Sequence, residues 1–579
     1  MELSASPSCG ALATLLSVLF PSRSNACVNS DESPRVLLKD LATREFNAFL
    51  WISLIAITVL LVRKVFKLLR LWFMASRIPG PPSPSFYGHC KLISGENLTD
   101  FLSDSHEKYG SVVRLWLGPT QLLVSIKEPN LIKEMLLKAA DKLPSTGRAF
   151  SLAFGRSSLF ASSFDEVQKR RETLMTELSE RLLERTNVIP GRVVECIMER
   201  IHGSMAKGSV DCKMVSQHMA FTILGTTLFG DAFLAWSKAN VYEEILMMIA
   251  KDACFWASYN VTPFWKRGFW KYQRLCTKLK CLTQDIVQQC RKNYKLFHGM
   301  DHHFNETAYT GNHATYAGSS CSDGVMPDNF FCQEFKSHFD EREEEPSGNI
   351  MGMMFHGCLT TTGLINNILM RLVMHQEIQE KIYNEITLAQ KDSITPVEQN
   401  VDRMLLLLAT VYESARLLPA GPLLQRCSLE RDLTLENGVT IPAGAVLVVP
   451  VQLVQKDGSS WGSDANEFNP YRFLLKIRKR ADLVLNTSFS EKAADLGESS
   501  FVLNDPNNNA AFLPFGSGIR ACVGQKFVIQ GVAALFASLL KNYKIRLQPE
   551  TQITRVPNMN NCGFQLLPST EIIFVRRNI

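Results

Sequence analysis

Near the C-terminus lies the run Phe515-Gly516-Ser517-Gly518-Ile519-Arg520-Ala521-Cys522-Val523-Gly524, which constrains this chain more than any other feature. It sets one thiol among glycines, with an arginine two residues before it and an apolar helical pattern after it. Glycines at 516, 518 and 524 supply unusual dihedrals and let a flat group come close to the backbone. Amide N–H groups turned toward a sulfur hold it as thiolate and limit its charge donation. A helix that starts beside the sulfur presents its positive end to that anion. Gln525 to Leu540 reads as such a helix, with apolar or small residues at Phe527, Val528, Gly531, Ala534, Leu535 and Leu539. The alternative is a glycine-rich turn around a buried cysteine.

This run resembles the Phe-x-x-Gly-x-Arg-x-Cys-x-Gly haem loop of the cytochrome P-450 superfamily, matched at Phe515, Gly518, Arg520, Cys522 and Gly524. The resemblance covers about residues 71–579. It implies a mainly α fold with a smaller β region behind an N-terminal transmembrane helix, and haem b as cofactor with Cys522 as the axial ligand of its iron. Haem brings two propionates into the protein, and burying them demands cations. By resemblance these are Arg520, Arg171 and Arg426. Arg171 stands in a Trp-x-x-x-Arg frame in which Val167 replaces the tryptophan.

At 579 residues and 46% hydrophobic, the chain can bury one large catalytic domain with accessory segments. Its 15 cysteines form no CxxC pair, which argues for a reducing compartment rather than a disulfide framework. The net charge of +6 is modest, and no basic cluster suggests nucleic acid. Phe46 to Val62 is almost wholly apolar, and Arg63, Lys64, Lys67 and Arg70 follow at once. About 17–25 residues cross a bilayer, and the basic flank places the following domain in the cytosol. The expected organisation is an N-terminal extension over 1–45, a membrane anchor over 46–70, a proline-rich linker over 71–90 and a catalytic domain over 91–579. Two polar segments, 297–347 and 476–509, read as loop insertions. The endoplasmic reticulum membrane is the expected location; a plastid transit segment within 1–45 is the alternative.

Val112 to Ile126 reads as a strand pair around Gly118-Pro119, and Gly348 to Leu388 as the longest strongly helical run. Phe233 to Tyr272 is rich in aromatics. The resemblance implies that this region roofs a substrate pocket and can dip into lipid; core packing is the alternative.

Within the long helical run, His356-Gly357-Cys358-Leu359-Thr360-Thr361 resembles the family's Ala/Gly-Gly-x-Asp/Glu-Thr-Thr stretch on the distal haem face. By that resemblance Gly357 leaves room for dioxygen and substrate, and the Thr360 hydroxyl steadies the protons that oxygen cleavage needs. The family's acid falls on Leu359. Proton supply is then expected through water or His356, a residue type that titrates near neutrality. Glu413-Ser414-Ala415-Arg416 resembles the family's Glu-x-x-Arg, and Phe468-Asn469-Pro470-Tyr471-Arg472-Phe473 supplies a second arginine. Glu413, Arg416 and Arg472 are expected to form a buried ion cluster.

The resemblance implies a monooxygenase acting on a lipophilic small molecule, with electrons from NADPH through a separate reductase, since no flavin or nicotinamide fingerprint is evident. Two rivals stand beside it. One is a reductase-independent haem isomerase or dehydratase of hydroperoxides; the other is a haem-binding protein without turnover.

Overall fold

Long apolar stretches with few internal prolines build most of this chain as helix. The structure, a computed structural model, describes residues 34–90, 98–141, 151–154, part of 164–175, 189–205, 208–257, 263–305, 346–391, 401–428, 431–476, 501–549 and 570–577. The chain divides into two compact units, Met1–Trp72 and Phe73–Ile579.

Helix α1 (Pro34–Ser76) fills the described part of the first unit and runs into the second. Its portion Thr43–Ser76 is long and apolar enough to cross a membrane, with a mean hydropathy of 2.1 over a stretch that buries none of its side chains. The helix extends beyond both ends of the expected 46–70 span. Arginine and lysine are good helix formers, so the basic flank continues the helix instead of ending it. It stops ahead of Pro79, where the residue before a proline is driven out of the helical region.

The proline-rich segment expected as a linker over 71–90 makes definite contacts. Arg114 N–H donates to the Pro79 carbonyl at 2.8 Å. A Cβ on Gly80 would stand 2.3 Å from the Arg114 carbonyl oxygen, so only glycine permits this approach. Buried His89 accepts from Trp116 N–H at 3.1 Å through Nδ1.

In the second unit, α2 (Leu98–Tyr109), α3 (Pro129–Lys138), α4 (Ile189–Met205), α5 (Cys212–Phe229), α6 (Ala239–Ala257), α7 (Arg267–Asn305), α8 (Pro346–Met374), α9 (Gln376–Lys391), α10 (Leu405–Leu417) and α11 (Gln525–Asn542) follow in order. The expected strand pair is β1 (Val112–Trp116) against β2 (Leu122–Ile126), antiparallel, turning at Gly118 with φ +78°. Between β3 (Val210–Asp211) and β8 (Leu474–Lys476) come β4 (Leu423–Arg426), β5 (Leu433–Thr434), β6 (Thr440–Ile441) and β7 (Val446–Pro450). β7 lies parallel to β2 and antiparallel to β4, completing a four-stranded sheet in the order β1-β2-β7-β4. β10 (Tyr543–Leu547) and β11 (Glu571–Arg576) form a smaller sheet with β3.

The main core is helical. α5 is buried along nearly its whole length and packs on α8. A Cβ on Gly225 would collide with the Phe233 ring at 2.1 Å, so this glycine lets an aromatic lie against the helix backbone. The run 348–388 is two helices, not one. His375 ends α8, and its carbonyl accepts the first amides of α9, from Ile378 at 3.1 Å and Gln379 at 3.1 Å.

The aromatic stretch divides into a buried and an exposed set. Trp236, Trp256, Phe269 and Tyr272 are buried, with the Trp256 ring 5.6 Å from Phe269; Phe255, Phe264, Trp265 and Trp270 are exposed. Of the expected insertions, 306–345 and 477–500 lie outside the described residues. β8 pairs with β9 (Phe501–Leu503) through Leu474↔Leu503, which brings the two ends of the second insertion together.

Glu385 on α9 accepts the free N-terminal amides of α10, from Leu406 at 2.8 Å and Leu407 at 3.0 Å. Burial nevertheless pushes its carboxyl up from 4.5 to about 6. Between those values the folded protein keeps a proton that the unfolded chain releases. Stability therefore falls as pH rises through that window, by about 2 kcal/mol from this group, and is level above it. Glu385→Gln is expected to flatten this decline, measured as the urea midpoint against pH.

Candidate active site

The loop before α11 is built by its glycines. Gly516 and Gly518 have φ of +70° and +69°, and a Cβ on Gly518 would stand 2.5 Å from the Leu136 carbonyl oxygen of α3. Gly518–Arg520 make one 3₁₀ turn, and Cys522 N–H donates to the Phe515 carbonyl at 2.8 Å, closing the loop on itself. Gly524 differs from the expectation: its φ is an ordinary −97°, and it is the residue at which α11 begins. A Cβ there would meet nothing nearer than Val528 Cγ2 at 4.0 Å, so the protein leaves that face open. Cys522 is exposed, three residues before Gln525 opens the helix.

Three arginines gather at this loop, Arg520 within it and Arg171 and Arg426 from distant parts of the chain. Arg171 Nη2 donates to the Ala521 carbonyl at 2.6 Å, next to the cysteine. Arg426, at the end of β4, donates through Nη2 to the Arg520 carbonyl at 3.5 Å and through Nη1 to the Gln425 carbonyl at 2.8 Å. Arg520 Nε donates to the Ala140 carbonyl at 2.9 Å, and its guanidinium lies over the Phe164 ring at 5.1 Å.

Their charges are unfavourable to one another. Burial, then repulsion from Arg520 and Arg171, lowers Arg426 to about 10. Burial, then repulsion from Arg171, lowers Arg520 to about 10, with Asp141 offsetting part of the effect. Burial also lowers Arg171, and the negative form of Cys522 counteracts it. The Arg426 Nε is buried with no hydrogen-bond partner. Gathered cations at this cost, beside an exposed thiol and an open glycine face, fit a flat group that carries carboxylates and takes a sulfur ligand.

On α8, Met353, His356, Gly357, Leu359, Thr360 and Gly363 form a half-buried stripe along a helix that is otherwise buried between 348 and 370. Thr360 Oγ1 donates to the His356 carbonyl at 2.7 Å. The His356 ring meets Phe355 edge-on, with centroids 5.5 Å apart. A Cβ on Gly357 would lie 2.9 Å from Leu224 Cδ1, so the close passage of α5 also needs this glycine. Leu359, where the family's acid falls, packs against the apolar core.

Glu413, Arg416 and Arg472 come together. Arg416 donates to both Glu413 oxygens, at 2.7 and 2.9 Å, with neither side chain exposed. Arg472 Nε donates to Glu413 Oε1 at 3.0 Å, as does Asn469 N–H at 2.9 Å. The remaining donors of Arg416 reach the carbonyls of Gln455 at 2.6 Å and Ala465 at 2.7 Å. Sequence reasoning missed Asp464, which accepts from Arg472 Nη2 at 3.0 Å, and the Trp461 ring 5.0 Å beneath Arg416. Neither residue carries a spacing signal; both reach the cluster through the turns between 458 and 470. No group of histidines, cysteines and carboxylates suited to a metal ion occurs among the described residues.

The family profile described as "Cytochrome P450" matches residues 78–574, and the chain belongs to that family. Its members are generally haem-dependent monooxygenases. The chain is 24% identical to cytochrome P450 3A11 of Mus musculus over 523 residues, covering 87% of this chain and 92% of the relative. It is 23% identical to cytochrome P450 72A397 of Kalopanax septemlobus over 467 residues, 78% of each. Cytochrome P450 734A1 of Arabidopsis thaliana is 22% identical over 505 residues, 83% of this chain and 87% of the relative.

Removing one member of a buried, fully hydrogen-bonded ion cluster strands the charges that remain. Glu413→Ala is expected to cost about 3–5 kcal/mol, seen as a lower urea midpoint, whereas Asp464→Ala, at the exposed rim, costs about 1 kcal/mol or less.

Proposed function

We propose that this chain is a membrane-anchored haem-thiolate monooxygenase that inserts one atom of dioxygen into a lipophilic small molecule, using electrons from NADPH delivered by a separate reductase. The observation that carries this reading is the Cys522 loop, with its exposed sulfur at the start of α11 and its three costly arginines.

In this reading Cys522 binds the iron as thiolate, Phe515, Gly518 and Gly524 shape the loop beside the macrocycle, and Arg171, Arg426 and Arg520 hold the propionates. When bound, haem supplies an electron-rich iron at which dioxygen is reduced and its O–O bond broken. His356 and Thr360 lie on a half-buried face of α8, and in this reading that face lines the substrate side. The Thr360 hydroxyl, anchored on the His356 carbonyl, accepts a proton from solvent or from the His356 ring and passes it inward. Gly357 keeps the helix surface low between them. Glu413, Arg416 and Arg472 hold the scaffold beneath the loop. The apolar α1 and the basic residues Arg63, Lys64, Lys67 and Arg70 support anchoring in the endoplasmic reticulum with the second unit in the cytosol.

Leu359 favours a second reading, an isomerase or dehydratase of hydroperoxides, because an enzyme that receives oxygen already reduced needs no carboxylate relay. Product formation that requires both NADPH and reductase decides for the monooxygenase.

The reduced, carbon monoxide-treated protein is expected to show a strongly red-shifted Soret band that Cys522→Ala abolishes; a wild-type polypeptide that takes up no haem refutes the reading. Leu359→Asp is expected to raise the ratio of product formed to NADPH consumed. An unchanged ratio means that the His356 and water route needs no carboxylate.

A further inference from the structure

Two cations at the far end of α8 belong neither to the Glu413 cluster nor to the Cys522 loop. Arg371 stands in the last turn of α8, and Lys456 follows Gln455 in the turn after β7. Both are half-buried. The Arg371 guanidinium lies over the Phe468 ring at 5.7 Å, and the His375 ring packs on that same ring at 4.9 Å. Arg371 Nε is buried with no hydrogen-bond partner. Among the described residues, neither the Arg371 guanidinium nor the Lys456 ammonium has a hydrogen bond or an ion pair. The carboxylates around them are committed elsewhere. Glu413 accepts from Arg416, Arg472 and Asn469 N–H. Asp457, next to Lys456, pairs with Lys127 at 2.9 Å, Asp464 with Arg472 at 3.0 Å, and Glu377 meets His375 at 3.4 Å. Burial, then repulsion from Arg371 and Arg416, lowers Lys456. Burial also lowers Arg371, where attraction to Glu413 is opposed by Arg416.

We propose that Arg371 and Lys456 form a binding site for a free phosphate-type oxyanion. Its oxygens accept from the guanidinium on one side and from the ammonium on the other. Charge and donor count select this occupant. Two cations with no carboxylate of their own are neutralised by one dianion, whereas chloride or a monocarboxylate leaves a charge over. A guanidinium fork and an ammonium, both with unused donors, suit the oxygens of a tetrahedral anion. Solvent reaches the site because both side chains keep part of their surface exposed. The Phe468 ring, backed by His375, holds the guanidinium in place before the anion arrives. When filled, the site fastens the last turn of α8 to the turn that carries Gln455. The proposal is independent of the haem reading, because neither residue takes part in it.

The test uses the full chain in neutral detergent and follows radiolabelled inorganic phosphate by equilibrium dialysis, with ionic strength held constant by chloride. Wild-type protein is expected to bind phosphate, with sulfate competing and acetate not. Arg371→Met and Lys456→Met, which replace each cation by an apolar chain of similar length, are each expected to weaken binding by about tenfold. Thermal unfolding gives a second readout. In chloride alone Lys456→Met is expected to unfold at a higher temperature than wild type, because a repelled, half-buried charge is gone. Phosphate is expected to raise the wild-type midpoint and to leave that of the variant unchanged. Wild-type protein that binds no phosphate overturns the proposal, and this arm needs no variant. Binding that both variants retain overturns it too, since the anion then sits at other cations, as does equal competition by acetate. A Lys456→Met protein that unfolds earlier than wild type in chloride also overturns it, since the ammonium is then satisfied without an anion.

Discussion

Glu413 accepts from two arginines and a backbone amide while wholly removed from solvent, and the support beneath Cys522 leads back to it. The two charges of α10 cannot be left singly in the interior, so the turns between 455 and 472 must fold to bring Arg472 and the carbonyl acceptors of Arg416 into place. Gln455 then connects that network to the loop. Its carbonyl accepts from Arg416 Nη1 at 2.6 Å, and its Oε1 accepts from Leu513 N–H at 3.4 Å. The Phe512 ring lies 5.9 Å from Tyr412 on α10 and 5.9 Å from Phe473, so apolar contacts follow the same route. From Leu513 the chain needs two residues to reach Phe515, whose carbonyl holds the amide of Cys522.

The two charged groupings of this protein are opposites. Around Glu413, each charge meets a partner and the donors of Arg416 are absorbed by carbonyls, so the grouping is structural. Around Cys522, burial lowers the proton affinity of all three arginines, and repulsion adds to it at Arg426 and Arg520, while they donate mainly to backbone carbonyls. A folded chain tolerates such repulsion where a negative ligand removes it. A similar contrast separates the half-buried stripe of α8 from the other residues between 348 and 370, which are buried.

Much of the site was legible because its signals are local. The Phe515–Gly524 run, the Glu413/Arg416 spacing and the helix after Gly524 each depend on neighbours a few residues away. The departures arose where distant contacts override local preference. Gly524 has ordinary dihedrals because only Gly516 and Gly518 have to turn the chain back. The contacts of the proline-rich segment after α1, where Arg114 on β1 reaches Pro79 and Ala75, likewise carry no local signal. Aromatic residues between 233 and 272 divide into buried and exposed sets according to what packs against each in the fold, and no composition argument could divide them.

The amino-acid order by itself determined the thiol with its glycine frame, the membrane-length apolar helix and the identity of the charged residues that matter, since these follow from covalent neighbours and helical periodicity. Tertiary structure decided which carbonyls Arg171 and Arg426 reach in the Cys522 loop, those of Ala521 and Arg520. It also decided which carbonyls absorb Arg416 and which aromatics face solvent. Those outcomes depend on segments hundreds of residues apart being packed together, and burial and electrostatic energy become definite only once that packing exists.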